Sequence, residues 1–146
     1  MDKLLAALDN WKPFVAVVVG DFMLDELVFG DAERLSADAP VPILHAKETR
    51  RTPGGAASLA MDLAAMRATV RLVGVTGDDA EARTLRDRLD AEGLDSSGLV
   101  TDTTRPTTVK RNLVGLAQAR HPQKMFRLDF ESREPVADAA RTELLA

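Results

Sequence analysis

Pro53-Gly54-Gly55-Ala56-Ala57-Ser58-Leu59-Ala60-Met61 joins an extended segment to a helix through two adjacent glycines. Lacking Cβ atoms, Gly54 and Gly55 allow a ligand close to the backbone and leave φ free to turn positive. From Ser58 onward, Leu59, Leu63 and Met66 recur at helical spacing and predict a helix that buries this stripe. The unpaired N–H groups of its first turn then face the space beside the glycines. Hydrogen bonding and the positive end of the helix dipole favour a polar or anionic ligand there. A plain connecting turn would use the same two glycines, so the flanking sequence has to decide.

Outward from this stretch, strands alternate with helices. Asp2 to Leu8 reads as a short leading helix. Phe14 to Val19 is a continuous valine-rich run, the pattern of a strand buried on both faces, and it ends at Gly20-Asp21. Between Asp25 and Arg51 the pattern gives short extended pieces at Glu26 to Phe29 and Val41 to Ala46, the second an edge strand because of Pro40 and Pro42. Beyond the glycines come a strand at Val70 to Val75, the turn Thr76-Gly77-Asp78-Asp79, and a helix from Ala80 to Glu92 with Ala82, Leu85 and Leu89 inward. Asp78 or Asp79 can cap its start, and Gly93 can sit past its end. Strands are expected near Leu99, across Thr107 to Leu116 and at Met125 to Leu128. The last two read as a hairpin around a flexible loop within Gly115 to Lys124, and Val136 to Leu145 reads as a helix. Such alternation implies a largely parallel sheet covered on both faces. Ligands bind such sheets outside the carboxyl ends of the strands, here Gly20-Asp21 and Thr76-Gly77-Asp78.

The 146 residues, 45% hydrophobic and 29% charged, suffice for one domain with a core. A net charge of −4 argues against nucleic acid as a partner. The absence of cysteine excludes a disulfide framework and a thiolate metal site, and it fits a reducing cytoplasm, the expected location. His45 and His121 are too few and too scattered for a zinc signature, so no metal site is expected. Leu4, Leu5 and Leu8 are interrupted by Asp2, Lys3 and Asp9, and no long apolar run follows, so neither a signal peptide nor a membrane span is expected.

Several segments recur in a familiar order. Val17-Val18-Val19-Gly20-Asp21-Phe22-Met23-Leu24-Asp25 is followed by Leu35-Ser36-Ala37-Asp38-Ala39-Pro40-Val41-Pro42-Ile43 and then by the Gly54-Gly55 stretch. Next come Leu72-Val73-Gly74-Val75-Thr76-Gly77-Asp78-Asp79, Arg105-Pro106-Thr107-Thr108-Val109-Lys110 and Phe126-Arg127-Leu128-Asp129-Phe130-Glu131. From about Val15 to Glu131 this resembles the N-terminal half of the ribokinase-like (PfkB) sugar kinases. It is most similar to the bacterial D-glycero-D-manno-heptose-7-phosphate kinases, the kinase part of bifunctional ADP-heptose synthases. The resemblance implies an α/β fold with a mostly parallel sheet flanked by helices and a small β-lid. Residues 1–146 would form the N-terminal part of a single kinase domain, with lid strands at about 25–51 and 107–128. The C-terminal half of the fold is expected to be absent.

The resemblance also implies roles. Asp25 matches the aspartate that accepts hydrogen bonds from sugar hydroxyls, a task suited to a carboxylate. Gly54 and Gly55 match glycines lining the sugar pocket, with Ser58 at its edge where asparagine is usual. Glu26 stands where the heptose kinases carry arginine. Lys110 and Arg127 are candidate cations for a phosphorylated sugar. Alternation along a strand puts Arg111 on the face opposite Lys110, so Arg111 reads as an ordinary solvated charge. Asp129 and Glu131 form an i, i+2 carboxylate pair, available to order the lid or to pair with Arg127. The family uses ATP and Mg²⁺, neither of which this chain alone is expected to bind strongly. A homodimer through the lid strands is expected.

Phosphoryl transfer needs positioning plus a base for the acceptor hydroxyl. In the resembled family that base is an aspartate in a Gly-x-Gly-Asp turn, and no such motif occurs here. Gly74-Val75-Thr76-Gly77-Asp78 comes near it but matches a different family segment. No catalytic residue is therefore assigned. The chain reads as a fragment or truncated product carrying the sugar-binding and lid portion of a heptose 7-phosphate kinase, inactive alone. The alternative is a non-catalytic sugar-binding or dimerisation module. A dinucleotide-binding domain is disfavoured, since no Gly-x-Gly-x-x-Gly follows the first strand.

Overall fold

The computed structural model describes residues 2–116 and 121–146. A core sheet is built from β1 (Phe14–Val19), β4 (Ala68–Thr76) and β5 (Leu99–Thr101), in the order β1-β4-β5 and parallel throughout. Helix α1 (Asp2–Asp9) precedes β1, α2 (Ala56–Ala65) leads into β4, and α3 (Ala80–Ala91) with a 3-10 turn at Ser96–Gly98 leads into β5. α4 (Asp138–Leu144) closes the chain. Val18, Val70 and Leu72 of the sheet pack in one cluster with Ala57 and Ala60 of α2 and with Leu85 and Leu89 of α3. Leu85 and Leu89 are fully buried, and each contributes about 1.5–3 kcal/mol by leaving water. α3 forms as its sequence directs. Asp79 caps its start, Ala82, Leu85 and Leu89 face inward, and Gly93 takes a φ of +77° past its end.

Two expectations about the core need correction. β1 is not buried on both faces: Val15, Val17 and Val19 are 69%, 58% and 72% exposed. α4 covers the second sheet face only near β4 and β5, bordering a cavity of about 330 Å³ with Val73, Val75, Leu144 and Leu145. The buried stripe of α2 is also not Leu59, Leu63 and Met66. Ala57 and Ala60 are buried and Leu63 partly so, while Leu59 and Met66 are exposed. Small residues on the inner face let a helix pack close against its strands, where methyl groups fit and isobutyl groups do not.

A second, outer sheet is larger than the lid expected from sequence. β2 (Phe22–Leu35), β3 (Pro42–Gly55), β6 (Thr108–Leu116) and β7 (Gln123–Phe130) are ordered β3-β2-β6-β7. β2 and β3 run 14 residues each, replacing the short pieces expected at Glu26 to Phe29 and Val41 to Ala46. β3 lies at an edge, where Pro42 and Pro53 are tolerated. β2–β3 and β6–β7 are antiparallel, and β2–β6 is parallel. The flexible loop expected within Gly115 to Lys124 falls in part on residues 117–120, outside the described residues. Phe22, Leu24 and Val109 join the core cluster, so the base of the outer sheet continues the core. Among the described residues, no helix is long and apolar enough to cross a membrane.

Candidate functional site

Strand alternation sorts the outer sheet into two chemically different faces. Cross-strand partners project to the same side, so one row crosses all four strands as Thr52, Asp25, Lys110 and Asp129. Two residues further along, on the same face, the row is Arg50, Leu27, Asn112 and Arg127. The row between them, Arg51, Glu26, Arg111 and Leu128, lies on the opposite face. Asp25, Lys110 and Arg127 therefore share a face, with Arg127 about 7 Å along the strand from the Asp25–Lys110 row. Arg127 donates to Asp129 Oδ2 at 2.8 Å. Glu131 lies past the end of β7 and pairs instead with Arg133.

Gly54 belongs to this face and its missing side chain is used by Asp25. A Cβ at Gly54 would stand 2.5 Å from Asp25 Oδ2 and 2.7 Å from Cγ. The carboxylate occupies that space, so the glycine serves the side chain next door as well as any ligand. Gly55 ends β3 at φ +58° and caps α2 without a side-chain hydrogen bond. A Cβ there would meet Asp21 O at 2.6 Å and Met23 Cε at 2.8 Å, because the Gly20-Asp21 turn crosses beneath it. The Ala56 N–H donates to Asp21 O at 3.0 Å and ties the two segments together. Ser58 sits exposed in the first turn of α2, three residues beyond Gly55. None of Asp25, Gly54, Gly55, Ser58, Lys110 and Arg127 lines the cavity beneath α4.

The opposite face corrects the reading of Glu26 and Arg111. Glu26 is 3% exposed, and Arg51 Nε donates to its Oε2 at 2.6 Å while Arg111 Nε donates to its Oε1. The Arg111 guanidinium also lies 4.9 Å from the centre of the Phe130 ring. Arg111 is thus a structural partner rather than a free charge. Burial pushes the Glu26 carboxyl up, but the hydrogen bonds from Arg51 and Arg111 outweigh it and hold the group below its ordinary value. Glu26 is thus turned away from Asp25 and Lys110, on the other face of the sheet.

Two further carboxylates went unassigned from sequence beyond a helix cap. Asp79 accepts from Ala82 N at 2.7 Å and from Thr107 N at 2.7 Å. Burial raises its pKa, yet hydrogen bonds from Thr107 and Ala82 bring it below the ordinary value. Asp102 is buried and accepts from the hydroxyl and N–H of Thr104, from Arg105 Nε and from Ala137 N. These bonds, the Thr104 hydroxyl first, hold it far below the usual carboxylate range. The partners lie up to 35 residues away, out of reach of any local pattern. The only signal was two adjacent aspartates before a helix.

A parallel core sheet flanked by helices, with an outer sheet rising from it, defines the ribokinase-like fold. A carbohydrate kinase from Agrobacterium tumefaciens superposes with a TM-score of 0.60 at 15% identity, over 81% of this chain and 35% of its own. A sugar kinase from Pyrococcus horikoshii, solved in complex with ATP, gives 0.55 at 15% identity, over 84% and 35%. The profile described as pfkB family carbohydrate kinase matches residues 15–121, and the chain belongs to that family. It is 39% identical over 129 residues to the bifunctional protein HldE of Helicobacter pylori, covering 88% of this chain and 27% of that protein. The HldE protein of Wolinella succinogenes is 34% identical over 130 residues, covering 89% and 26%. The chain thus spans about a quarter of the length of these relatives.

Proposed function

We propose that this chain carries the sugar-binding and lid portion of an ATP-dependent kinase acting on a phosphorylated sugar. Heptose 7-phosphate is the substrate suggested by the resemblance of Ser36–Pro42 and Arg127–Glu131 to the heptose kinases. The observation that carries the reading is the row placing Lys110 beside Asp25 while the Asp25 carboxylate leans over Gly54. In this reading Asp25 accepts hydrogen bonds from sugar hydroxyls, Lys110 and Arg127 balance the substrate's phosphate, and Ser58 borders the site. A positioned hydroxyl gains rate only if the phosphoryl donor and a base are also in place. The sequence holds no Gly-x-Gly-Asp, so the chain alone is expected to transfer no phosphate. Among the described residues, no group of three His, Cys, Asp or Glu side chains is arranged to hold a metal ion.

Calorimetric titration of the chain with heptose 7-phosphate and with unphosphorylated heptose tests the reading. Asp25→Ala should abolish binding of both sugars. Lys110→Ala should remove only the preference for the phosphorylated one. Unchanged binding by Asp25→Ala overturns the assignment, and phosphate transfer from ATP by the isolated chain overturns the expected inactivity.

A second copy of the chain is the partner favoured for the outer sheet. Val41, Leu44, Leu113, Met125 and Phe126 border an apolar hollow of about 300 Å³, and Val41 and Phe126 are exposed. Exposed apolar surface beside open strand edges favours association. Sedimentation should show a dimer that Phe126→Asp dissociates, and a strict monomer at high concentration excludes it.

A further inference from the structure

We propose that Asp79 is a positioning residue, clamping β6 to the core so that Lys110 stays in register beside Asp25. The importance of that register rests on the site reading above, while the clamp itself rests on geometry.

β2 and β6 are parallel and lie far apart in sequence, so no hairpin turn sets their pairing. A slip of one residue would carry Lys110 to the opposite face and bring Arg111 round beside Asp25. Glu26 and Arg111 pair across the two strands further along, and at the start of β6 the contact to the core runs through Asp79. One oxygen of Asp79 takes the Ala82 N–H and caps α3. The other takes the N–H of Thr107, the residue just before β6, and the Gly77 N–H donates back to Thr107 Oγ1 at 2.9 Å. Thr107 is only 2% exposed. The two segments cross so closely that a Cβ on Gly77 would stand 2.7 Å from Thr107 N. From this fixed point the register runs Met23–Thr108, Leu24–Val109, Asp25–Lys110. The chain entering β2 is tied to the core two residues before that strand, where the Gly20 N–H donates to Val73 O at 3.2 Å. Both strands of the parallel pair are thus anchored to the core where they leave it.

Only a carboxylate presents two acceptor oxygens to these two donors. Asparagine keeps one acceptor, and serine can cap the helix but is too short to reach Thr107 as well. Asp79→Asn and Asp79→Ser therefore separate the clamp from the cap.

Amide hydrogen exchange on the full 146-residue chain decides the matter. Both variants should speed exchange across Val109 to Asn112 by about tenfold, the factor expected for one lost hydrogen bond to a charged group. Exchange in α3 should stay within about twofold of wild type. Unchanged exchange in β6, or equal loosening of α3 and β6, overturns the proposal, since Asp79 would then be an ordinary helix cap. Titration with heptose 7-phosphate and heptose reads the consequence. Wild type should prefer the phosphorylated sugar and both variants should lose that preference; a preference retained in both overturns the positioning role. Absence of any preference in wild type counts against Lys110 as the phosphate contact, while the exchange result still decides the clamp.

Discussion

The two sheets of this chain are held by different forces. The core sheet rests on apolar side chains pressed between strands and helices, with Leu85 and Leu89 fully buried. The outer sheet is mostly exposed along β3 and β7 and relies on ladder hydrogen bonds and cross-strand charge pairs, with Glu26 bonded between Arg51 and Arg111. Burial is non-directional and tolerates small shifts, whereas an ion pair fixes one register. The region with less apolar burial is thus the one whose polar side chains are specified in detail, which suits the role proposed for Asp25 and Lys110.

Substitutions in the two regions should separate these effects. Leu85→Ala should cost about 2–5 kcal/mol in urea unfolding, the range for emptying a packed leucine site. A loss below 1 kcal/mol by this measure would mean the core is not the seat of stability. Glu26→Ala should cost about 1–3 kcal/mol, less than a wholly buried pair because water can reach both guanidinium groups. Its signature should be faster amide exchange in β2 and β6 with β4 unchanged. Equal loosening of both sheets would break the proposed contrast.

Acid should act on the same contacts. The folded pKa values of Glu26 and Asp79 lie below their ordinary values of 4.5 and 3.8. Their stabilisation is therefore full above those values and is lost as pH falls through them toward the folded pKa. The neighbouring guanidinium groups are those of Arg51 and Arg111 beside Glu26 and of Arg83 near Asp79. Thermal melting should be flat between about pH 6 and 8 and fall below about pH 4.5. A melting temperature that rises on acidification contradicts these contacts. The smallest effect is expected at Leu59→Ser, within about 0.5 kcal/mol because Leu59 is exposed. A large loss there would restore the leucine stripe read from sequence.

How far each element could be read depended on whether its determinants are local. α3 carries its cap, its inward residues and its terminal glycine within one short segment, and all three were legible. In α2 the periodicity was legible but the inner face was not, because the spacing of leucines does not reveal how close the sheet lies. β1 was read as doubly buried because a run of valines looks the same whether one face or both is covered. Asp25 and Gly54 could be singled out by motif resemblance. Their contact could not, since it arises only when β2 and β3 pair. The reading of Arg111 as a solvated charge failed because its partner Glu26 lies 85 residues away.

From the sequence alone came the order of strands and helices, the kinship with PfkB carbohydrate kinases, and the lack of any thiolate metal site. These depend on composition, short-range periodicity and motif spacing. Only the tertiary structure decided which side chains share a face of the outer sheet and that Asp79 serves two segments at once. It also decided that the space left open by Gly54 is taken by Asp25. The physical reason is the parallel β2–β6 pair. No turn joins those strands, so their register depends on distant contacts, Thr107 with Asp79 and Arg111 with Glu26 among them, which no local stretch of sequence encodes.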